Sequence, residues 1–125
     1  MIKSSHTAMV RFFRRNKLET TLNFQAIYDE ALETAKQAEQ AYFEKNGEPM
    51  YCGFAWVQIT NGRHPFAGWC RKNKIGSKHW SRGWLLWNPA GNGTQSMDIK
   101  EVGAKAFSDV LEKHNIPSYW GSRAD

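Results

Sequence analysis

The sequence predicts a single small domain of the α/β or α+β class, in which helices pack on a small sheet. Its 125 residues are a common length for one domain, and hydrophobic residues make up 41% of it, enough for a core. Segments with helical and with strand periodicity alternate in the order helix, strand, helix, strand, helix, strand, which is typical of layered α and β structure. We assign residues 1–18 to a basic N-terminal arm and residues 19–125 to the domain.

The first predicted helix covers residues 20–46. Its apolar residues recur at steps of three and four and form one stripe for the core: Phe24, Ile27, Tyr28, Ala31, Leu32, Ala35, Ala38, Tyr42 and Phe43. Gly47, which can adopt a left-handed conformation, and Pro49, which cannot continue a helix, predict its end. The opposite face is acidic and is expected to be solvated rather than catalytic: Asp29, Glu30, Glu33, Glu39 and Glu44.

Two strands and a short helix are predicted next. Residues 50–60 carry aromatic and β-branched residues on both alternating sets, which predicts a central strand with helices on at least one side. A short helix is expected between Pro65 and Gly76. Its inner face carries Phe66, Trp69 and Cys70. Residues 77–82 are predicted to be a polar loop, and residues 84–87 a second strand.

A loop, a helix and a strand are predicted for the remainder. Residues 88–96, NPAGNGTQS, have the composition of a loop. Asp98 and Glu101 form a capping-box pattern at the start of the last helix. Its buried stripe is expected to comprise Ile99, Val102, Ala106, Phe107, Val110 and Leu111. Residues 116–120 are predicted to be the final strand, and residues 121–125 a polar tail.

Positive charge is confined to particular parts of the chain. Residues 1–18 contain five bases and no acid, and residues 49–97 contain six bases and no acid. Between them, residues 19–48 contain seven acids and two bases. Segregation of this kind gives the positive potential a location, as binding of a polyanion requires. The alternative is that the net charge of +5 serves solubility alone.

The acid-free segment 49–97 also holds five of the six tryptophans. Nucleic-acid binding needs cations for phosphates and flat rings for bases. We therefore predict a nucleic-acid-binding set: Arg63, Arg71, Lys72, Lys74, Lys78, Trp80 and Arg82. Trp80 is the preferred stacking residue because its neighbours His79 and Ser81 are polar, which suggests exposure. Three other tryptophans are expected to pack in the core: Trp69, Trp84 and Trp87.

The glycine-rich loop before the last helix is a second candidate site. Backbone N–H groups that converge at the start of a helix can hold an anion. The candidate anion-binding residues are Asn92, Gly93, Thr94, Ser96 and Arg123. The loop lacks the lysine of a P-loop and the dinucleotide-binding pattern, and Asp98 would repel a phosphate. An ordinary loop whose polar residues serve turn chemistry is the alternative.

Catalysis has little support in the sequence. The four histidines share no motif, and spacing identifies no pair of nucleophile and base: His6, His64, His79 and His114. Cys52 and Cys70 have no partners at metal-ligand spacing and are expected to be reduced core residues. We predict no catalytic residue, no metal and no cofactor. No apolar run approaches the length of a membrane span, and residues 1–15 lack the apolar core of a signal peptide, so we expect a cytoplasmic location.

Three segments carry a resemblance to known proteins: GFAWVQI at residues 53–59, WNPAGNGTQSMDIKEVGAKAF at residues 87–107 and YWGSRAD at residues 119–125. Together they resemble a group of small tailed-phage proteins of unassigned function, over about the last three-fifths of the chain. The resemblance implies a phage protein made in a bacterial cytoplasm, and it attaches no activity to any residue. Chains of that group end in Gly-Ser-Arg-x-Asp, which implies a role for Arg123 and Asp125 beyond a frayed tail.

The sequence therefore predicts a small basic phage-type protein that binds nucleic acid, DNA or RNA, through a basic and aromatic face. The alternative is a phage anti-defence or host-takeover inhibitor that binds a host protein or sequesters a nucleotide signal. A nucleotide-sequestering protein would use the loop 88–96 and Arg123. An enzyme is a third hypothesis, and a homo-oligomer is compatible with each of them.

Overall fold

The structure, a computed structural model, describes residues 16–49 and 51–124. Three helices and four strands lie within these residues: α1 (Asn16–Asn46), β1 (Gly53–Ile59), α2 (Pro65–Lys72), β2 (Ser77–Lys78), β3 (Trp84–Trp87), α3 (Met97–Lys113) and β4 (Ser118–Ala124). The predicted order of elements is confirmed, with the two-residue strand β2 added before β3. Residues 1–15 of the predicted basic arm lie outside the described residues, and residues 16–18 belong to α1.

The four strands form one antiparallel sheet in the order β2-β3-β1-β4. From β1 onward the chain runs strand, helix, strand, strand, helix, strand. This succession is that of the split βαβ arrangement of ferredoxin-like folds, preceded here by the long helix α1. The chain is therefore a single small α+β domain, as the sequence predicts.

The helices cover one face of the sheet. In β1, Ala55, Val57 and Ile59 are buried in the core, whereas the alternating residues Phe54 and Trp56 are exposed or half-buried. Directly paired residues of an antiparallel sheet point to the same face, so the register assigns every other strand residue to a side. The side of Ala55, Val57 and Ile59 is the inner face, and the opposite side is the outer face.

The core lies between the inner face and the three helices. Ala31 and Ala35 of α1 are fully buried within it, which allows α1 to approach its neighbours closely. The Tyr28 ring lies 5.7 Å from the Trp69 ring of α2 and 5.8 Å from the Phe107 ring of α3, centroid to centroid. The two predicted apolar stripes therefore meet over the sheet, and most of their residues belong to the core or pack against it. Phe43, predicted to lie in the α1 stripe, is instead 47% exposed, and Val102 and Ala106 of the α3 stripe are half-buried.

The helix ends are only partly as predicted. Gly47 ends α1 at a φ of 71°, and its N–H donates to the Phe43 carbonyl at 2.7 Å, as expected for a helix terminus. The predicted capping box of α3 is wrong, because Ser96 and not Asp98 is the N-cap. Ser96 has an extended backbone, and its Oγ accepts from the Ile99 N–H at 3.4 Å. Asp98 already lies inside the first helical turn.

Two stretches predicted to be irregular are strands. Residues 77–78 were expected in a polar loop but pair with β3 as the edge strand β2. Residues 121–124 were expected in a polar tail but continue β4, which pairs with the whole length of β1. Backbone hydrogen bonds to an existing strand stabilise both stretches, although their side chains are polar or small. Asp125 lies outside the described residues.

Two burial predictions are also corrected. Glu39 was expected on a solvated acidic face but is only 3% exposed, because its carboxyl packs on Gly103 of α3, where no side chain stands. Cys52 was expected in the core but is half-buried. Cys70 is fully buried as predicted, and burial raises the pKa of its thiol to about 12.

Candidate functional site

Four aromatic side chains meet on the outer face, and we call them the aromatic platform: Phe54, Trp56, Trp80 and Trp87. Trp56 of β1 is at its centre, with ring centroids 5.2 Å from Trp87 of β3 and 5.8 Å from Trp80 of the loop after β2. Phe54 lies 6.1 Å from Trp87. Trp80 is 68% exposed, Trp87 44% and Phe54 39%. Large rings of this kind are usually buried, so their exposure together makes this face the candidate binding surface.

Strand alternation and register assemble the platform. Phe54 and Trp56 are two residues apart in β1, and Trp87 is the direct cross-strand partner of Trp56. On the other side, Trp56 pairs with Gly121 of β4. A Cβ at position 121 would lie 2.9 Å from the Trp56 ring, closer than van der Waals contact. The missing side chain at Gly121 therefore gives the Trp56 indole its place over β4.

A hydrogen-bonded loop holds Trp80 against the platform. The buried His79 ring stacks on Trp80 at 3.9 Å between centroids. His79 Nδ1 accepts from the backbone N–H of Ser81 at 2.9 Å and of Arg82 at 3.3 Å, which tightens the turn. Gln58 Nε2 on the outer face donates to the Arg82 carbonyl at 2.8 Å. Trp80 is thus exposed, as the sequence predicts, yet fixed in position.

The outer face carries no carboxylate among the described strand residues. The side chains or glycines that the register assigns to it are Phe54, Trp56, Gln58, Ser77, Leu85, Trp87, Tyr119, Gly121 and Arg123. Arg123 is the cross-strand partner of Phe54. The platform therefore lies in a neutral to positive environment, which an anionic ligand would favour.

A cavity of about 490 Å³ opens beside the platform. Its walls are formed by Phe54, Ala55, Trp87, Asn88, Lys100 and Arg123. Lys100 reaches it from α3, and its Nζ donates to the Gly53 carbonyl at 2.9 Å and lies 5.4 Å from the Phe54 ring centroid. Two aromatic rings and two cations thus border one space, a combination suited to an aromatic anion.

The basic residues predicted for the site do not join the platform. The Arg71 guanidinium lies 4.8 Å from the Trp84 ring centroid, and its Nη2 donates to the Gly62 carbonyl at 3.1 Å. Trp84 pairs with Ile59 and with Lys78, so these side chains belong to the inner side of the sheet.

The other predicted cations are exposed in different places. Lys72 and Lys74 lie at the end of α2, a helix of the inner side. Arg63 and Arg82 lie in loops, before α2 and between β2 and β3. Of the predicted nucleic-acid-binding set, only Trp80 is one of the four platform residues.

The loop 88–96 uses most of its polar groups internally. Asn92 Oδ1 accepts from the Thr94 N–H at 2.9 Å, and Thr94 Oγ1 accepts from the Ser96 N–H at 3.0 Å. The Thr94 hydroxyl donates to the Glu48 carboxylate. These contacts favour the turn chemistry that the sequence left as the alternative, and the Glu48 carboxylate beside the loop disfavours an anion there. Arg123 instead lines the cavity beside Phe54.

Sequence reasoning missed four residues that contribute a ring or a cation to the platform or the cavity. Trp87 was expected in the core, and Phe54, Trp56 and Lys100 were not considered as site residues. Phe54 and Trp56 alternate along β1, which indicates that both rings point to the same face of the sheet. The residues that point to the other face are also apolar, so the sequence did not show which face the helices cover. Lys100 gave no signal, because only the folded chain brings the start of α3 beside β1.

The described histidines have structural roles. His64 caps α2, where its Nδ1 accepts from the Phe66 N–H at 3.0 Å, and burial lowers its pKa. His114 contacts Glu30 at 2.8 Å. No group of three or more His, Cys, Asp or Glu residues within residues 16–49 and 51–124 is arranged to hold a metal ion. None of the three described helices has an apolar stretch long enough to cross a membrane.

Comparison of the chain with protein-family models, with curated proteins and with solved structures found no match. Hypotheses about its activity therefore depend on the geometry of the outer face.

Proposed function

We propose that this protein binds single-stranded nucleic acid, DNA or RNA, across the outer face of its sheet. The observation that carries the proposal is the aromatic platform, four adjoining rings on the face of the sheet that the three described helices leave open. Nucleobases stack on exposed aromatic side chains, and each stacked base contributes roughly 1–3 kcal/mol. Single strands present free base faces for this, whereas a duplex keeps its bases stacked inside.

The arrangement of the sheet supports this ligand class. RNA-recognition domains bind single strands on a four-stranded sheet whose exposed aromatics stack two or three bases. Here Phe54 and Trp56 of β1 and Trp87 of β3 lie on adjacent strands at the centre of a four-stranded sheet. Tyr119 of β4, 59% exposed, extends the aromatic surface toward the edge strand.

The charge distribution supports an anionic partner. Arg123 and Lys100 border the platform, and no carboxylate of the described strands faces it. Arg71, Lys72, Lys74 and Lys78 add positive charge on the far side of the β2 edge. Binding should therefore weaken as salt rises, because each phosphate contact releases counterions.

The direct test is the affinity for a labelled oligonucleotide of about 15 nucleotides, a length that one small domain can cover. We expect Trp87→Ala to lose roughly 1–3 kcal/mol of binding free energy on a single strand and less on a duplex. Phe43→Ala is the matched control, since Phe43 is an exposed aromatic residue of α1, away from the sheet. Absence of binding at low salt, or equal affinity of Trp87→Ala and the parent, would contradict the proposal.

A second candidate function is sequestration of a small nucleotide, favoured by the cavity of about 490 Å³ beside the platform. Its size lies within the range of small-molecule sites. Under this hypothesis a mononucleotide binds at least as tightly as an oligonucleotide, and binding has little dependence on strand length.

Docking of a host protein on the aromatic surface is the remaining alternative. Oligonucleotides would then bind weakly, and Trp87→Ala would not change their affinity. The resemblance to tailed-phage proteins would place any of these activities in an infected bacterial cell.

A further inference from the structure

Lys100 of α3 is a buried cation, only 9% exposed. Its Nζ donates to the Gly53 carbonyl at 2.9 Å. None of the ion pairs among residues 16–49 and 51–124 includes Lys100. Glu39 is the acidic group whose charge interacts with it, but the carboxyl of Glu39 packs on Gly103 on the helix side. Removing an ammonium from water is unfavourable unless other charged or polar groups replace the water.

The cavity beside the platform supplies the place for such a group. Lys100 and Arg123 both line it, and Phe54 and Trp87 form its aromatic walls. An ammonium has three N–H donors, so Lys100 keeps donors beyond the one used by Gly53. The Arg123 guanidinium can bind two oxygens of one phosphate side by side.

We propose that the cavity is a phosphate subsite, in which Lys100 and Arg123 hold one phosphate of the nucleotide whose base stacks on Phe54 or Trp87. The inference deepens the proposed function and rests on it. A nucleoside monophosphate carries both a base for the rings and a phosphate for the cations. The subsite fixes one nucleotide of a bound strand at the Phe54 end of the platform, beside the start of β1.

The test compares adenosine with adenosine 5′-monophosphate, measured by the change in tryptophan fluorescence or by NMR titration. In the parent, the monophosphate should bind roughly tenfold more tightly, as charge-assisted hydrogen bonds to the phosphate allow. Arg123→Gln and Lys100→Met should each reduce that ratio towards one, mainly by weakening the binding of the monophosphate. Lys105→Met is the matched control, because Lys105 is an exposed lysine of α3 that pairs with Asp109.

The variants separate binding from folding. Lys100→Met removes the donor to the Gly53 carbonyl, so its unfolding midpoint is measured beside its affinity. Arg123→Gln changes an exposed side chain, so its result holds even where Lys100→Met folds poorly. An oligonucleotide is titrated in parallel, and Arg123→Gln should lower the salt slope by about one.

The outcomes distinguish the two proposals. Equal binding of adenosine and its monophosphate, with intact oligonucleotide binding, would overturn the phosphate subsite alone. If neither small ligand binds detectably, the oligonucleotide titration decides. A slope of affinity against salt concentration that is unchanged in Arg123→Gln would also overturn the subsite, whereas a lowered slope supports it. Failure of the parent to bind any oligonucleotide would overturn the subsite together with the proposed function.

Discussion

Two glutamates of α1 have pKa values displaced in opposite directions. Burial raises the pKa of Glu39, and the hydrogen bond from Asn92 and the charge of Lys100 offset this only in part. Hydrogen bonds from Lys113 and His114 lower the pKa of Glu30, whose side chain is partly exposed. The two carboxyls therefore change the stability of the fold with pH in opposite directions. The Glu39 carboxyl is buried against α3, whereas the Glu30 carboxyl is held by two cationic side chains.

We expect Glu39→Gln to raise the unfolding free energy at neutral pH and Glu30→Gln to lower it. The folded chain holds the Glu39 proton more tightly than the unfolded chain does. Its contribution to stability is therefore present below the unfolded pKa and is lost as pH rises through the folded pKa. The depressed Glu30 pKa contributes stability above the unfolded pKa, which is lost as pH falls through the folded pKa. Denaturant unfolding of the parent and both variants from acid to neutral pH measures the two slopes.

Each variant controls for the other, since both replace a carboxyl of α1 by an amide of the same shape. The difference between Glu39→Gln and the parent should disappear in acid, where the parent carboxyl is protonated. Equal destabilisation by both variants at neutral pH would contradict the conclusion that burial disfavours the ionised form of the Glu39 carboxyl.

At the scale of elements, the pairing of β4 with β1 builds both the platform and the cavity. It places Gly121 beneath the Trp56 indole and Arg123 opposite Phe54. The position of β4 is in turn fixed by α3, since Ser118 and Ser108 share a hydrogen bond of 2.8 Å between their hydroxyls. The polar strand β4 therefore contributes little to the core. It supplies the Arg123 cation and, at Gly121, the space that the Trp56 ring occupies.

We expect Gly121→Ala to weaken oligonucleotide binding while the fold is retained. The added Cβ would lie 2.9 Å from the Trp56 ring, so the indole must move away from β4 and out of register with the other platform rings. The loss should be about 1 kcal/mol, the lower end of the range for a stacked base. Gly93→Ala is the control, because a Cβ there meets nothing within 4 Å. Affinity that is equal in the two variants would show that Trp56 does not contribute to the surface.

The elements differ in how far the sequence predicts them. The two long helices follow from periodicity, because each buries a wide apolar stripe whose spacing is set by the helix itself. The strand β2 and residues 121–124 of β4 could not be found from periodicity, since pairing with a neighbour and not side-chain burial makes them strands. The exposure of Trp80 was predictable from its polar neighbours. The exposure of Trp87 was not, because it depends on which face the helices leave open.

At the scale of the whole molecule, rings and most cations occupy different sides. The platform and Arg123 lie on the outer face, and Lys100 reaches the cavity beside it from α3, whereas Arg71 and Lys78 lie on the inner side near β2. Lys72 and Lys74 follow on the same side at the end of α2. A strand that crosses the sheet from β4 to β2 would meet the rings first and reach the lysines only as it passes the β2 edge.

The last prediction follows from this separation, and it concerns strand length. We expect the double variant Lys72→Gln/Lys74→Gln to bind an oligonucleotide of about 4 nucleotides as tightly as the parent, because the platform alone covers such a strand. On about 15 nucleotides the variant should bind more weakly, and its salt slope should fall by about two, one for each lost phosphate contact. Arg123→Gln should lower affinity at both lengths, since Arg123 borders the platform.

The measurement is affinity against salt concentration at the two lengths for the parent and both variants. A loss in the lysine variant that is equal at both lengths would place the strand along the end of α2 instead of across the rings. No loss at either length would confine binding to the platform and remove the predicted phosphate contacts of Lys72 and Lys74.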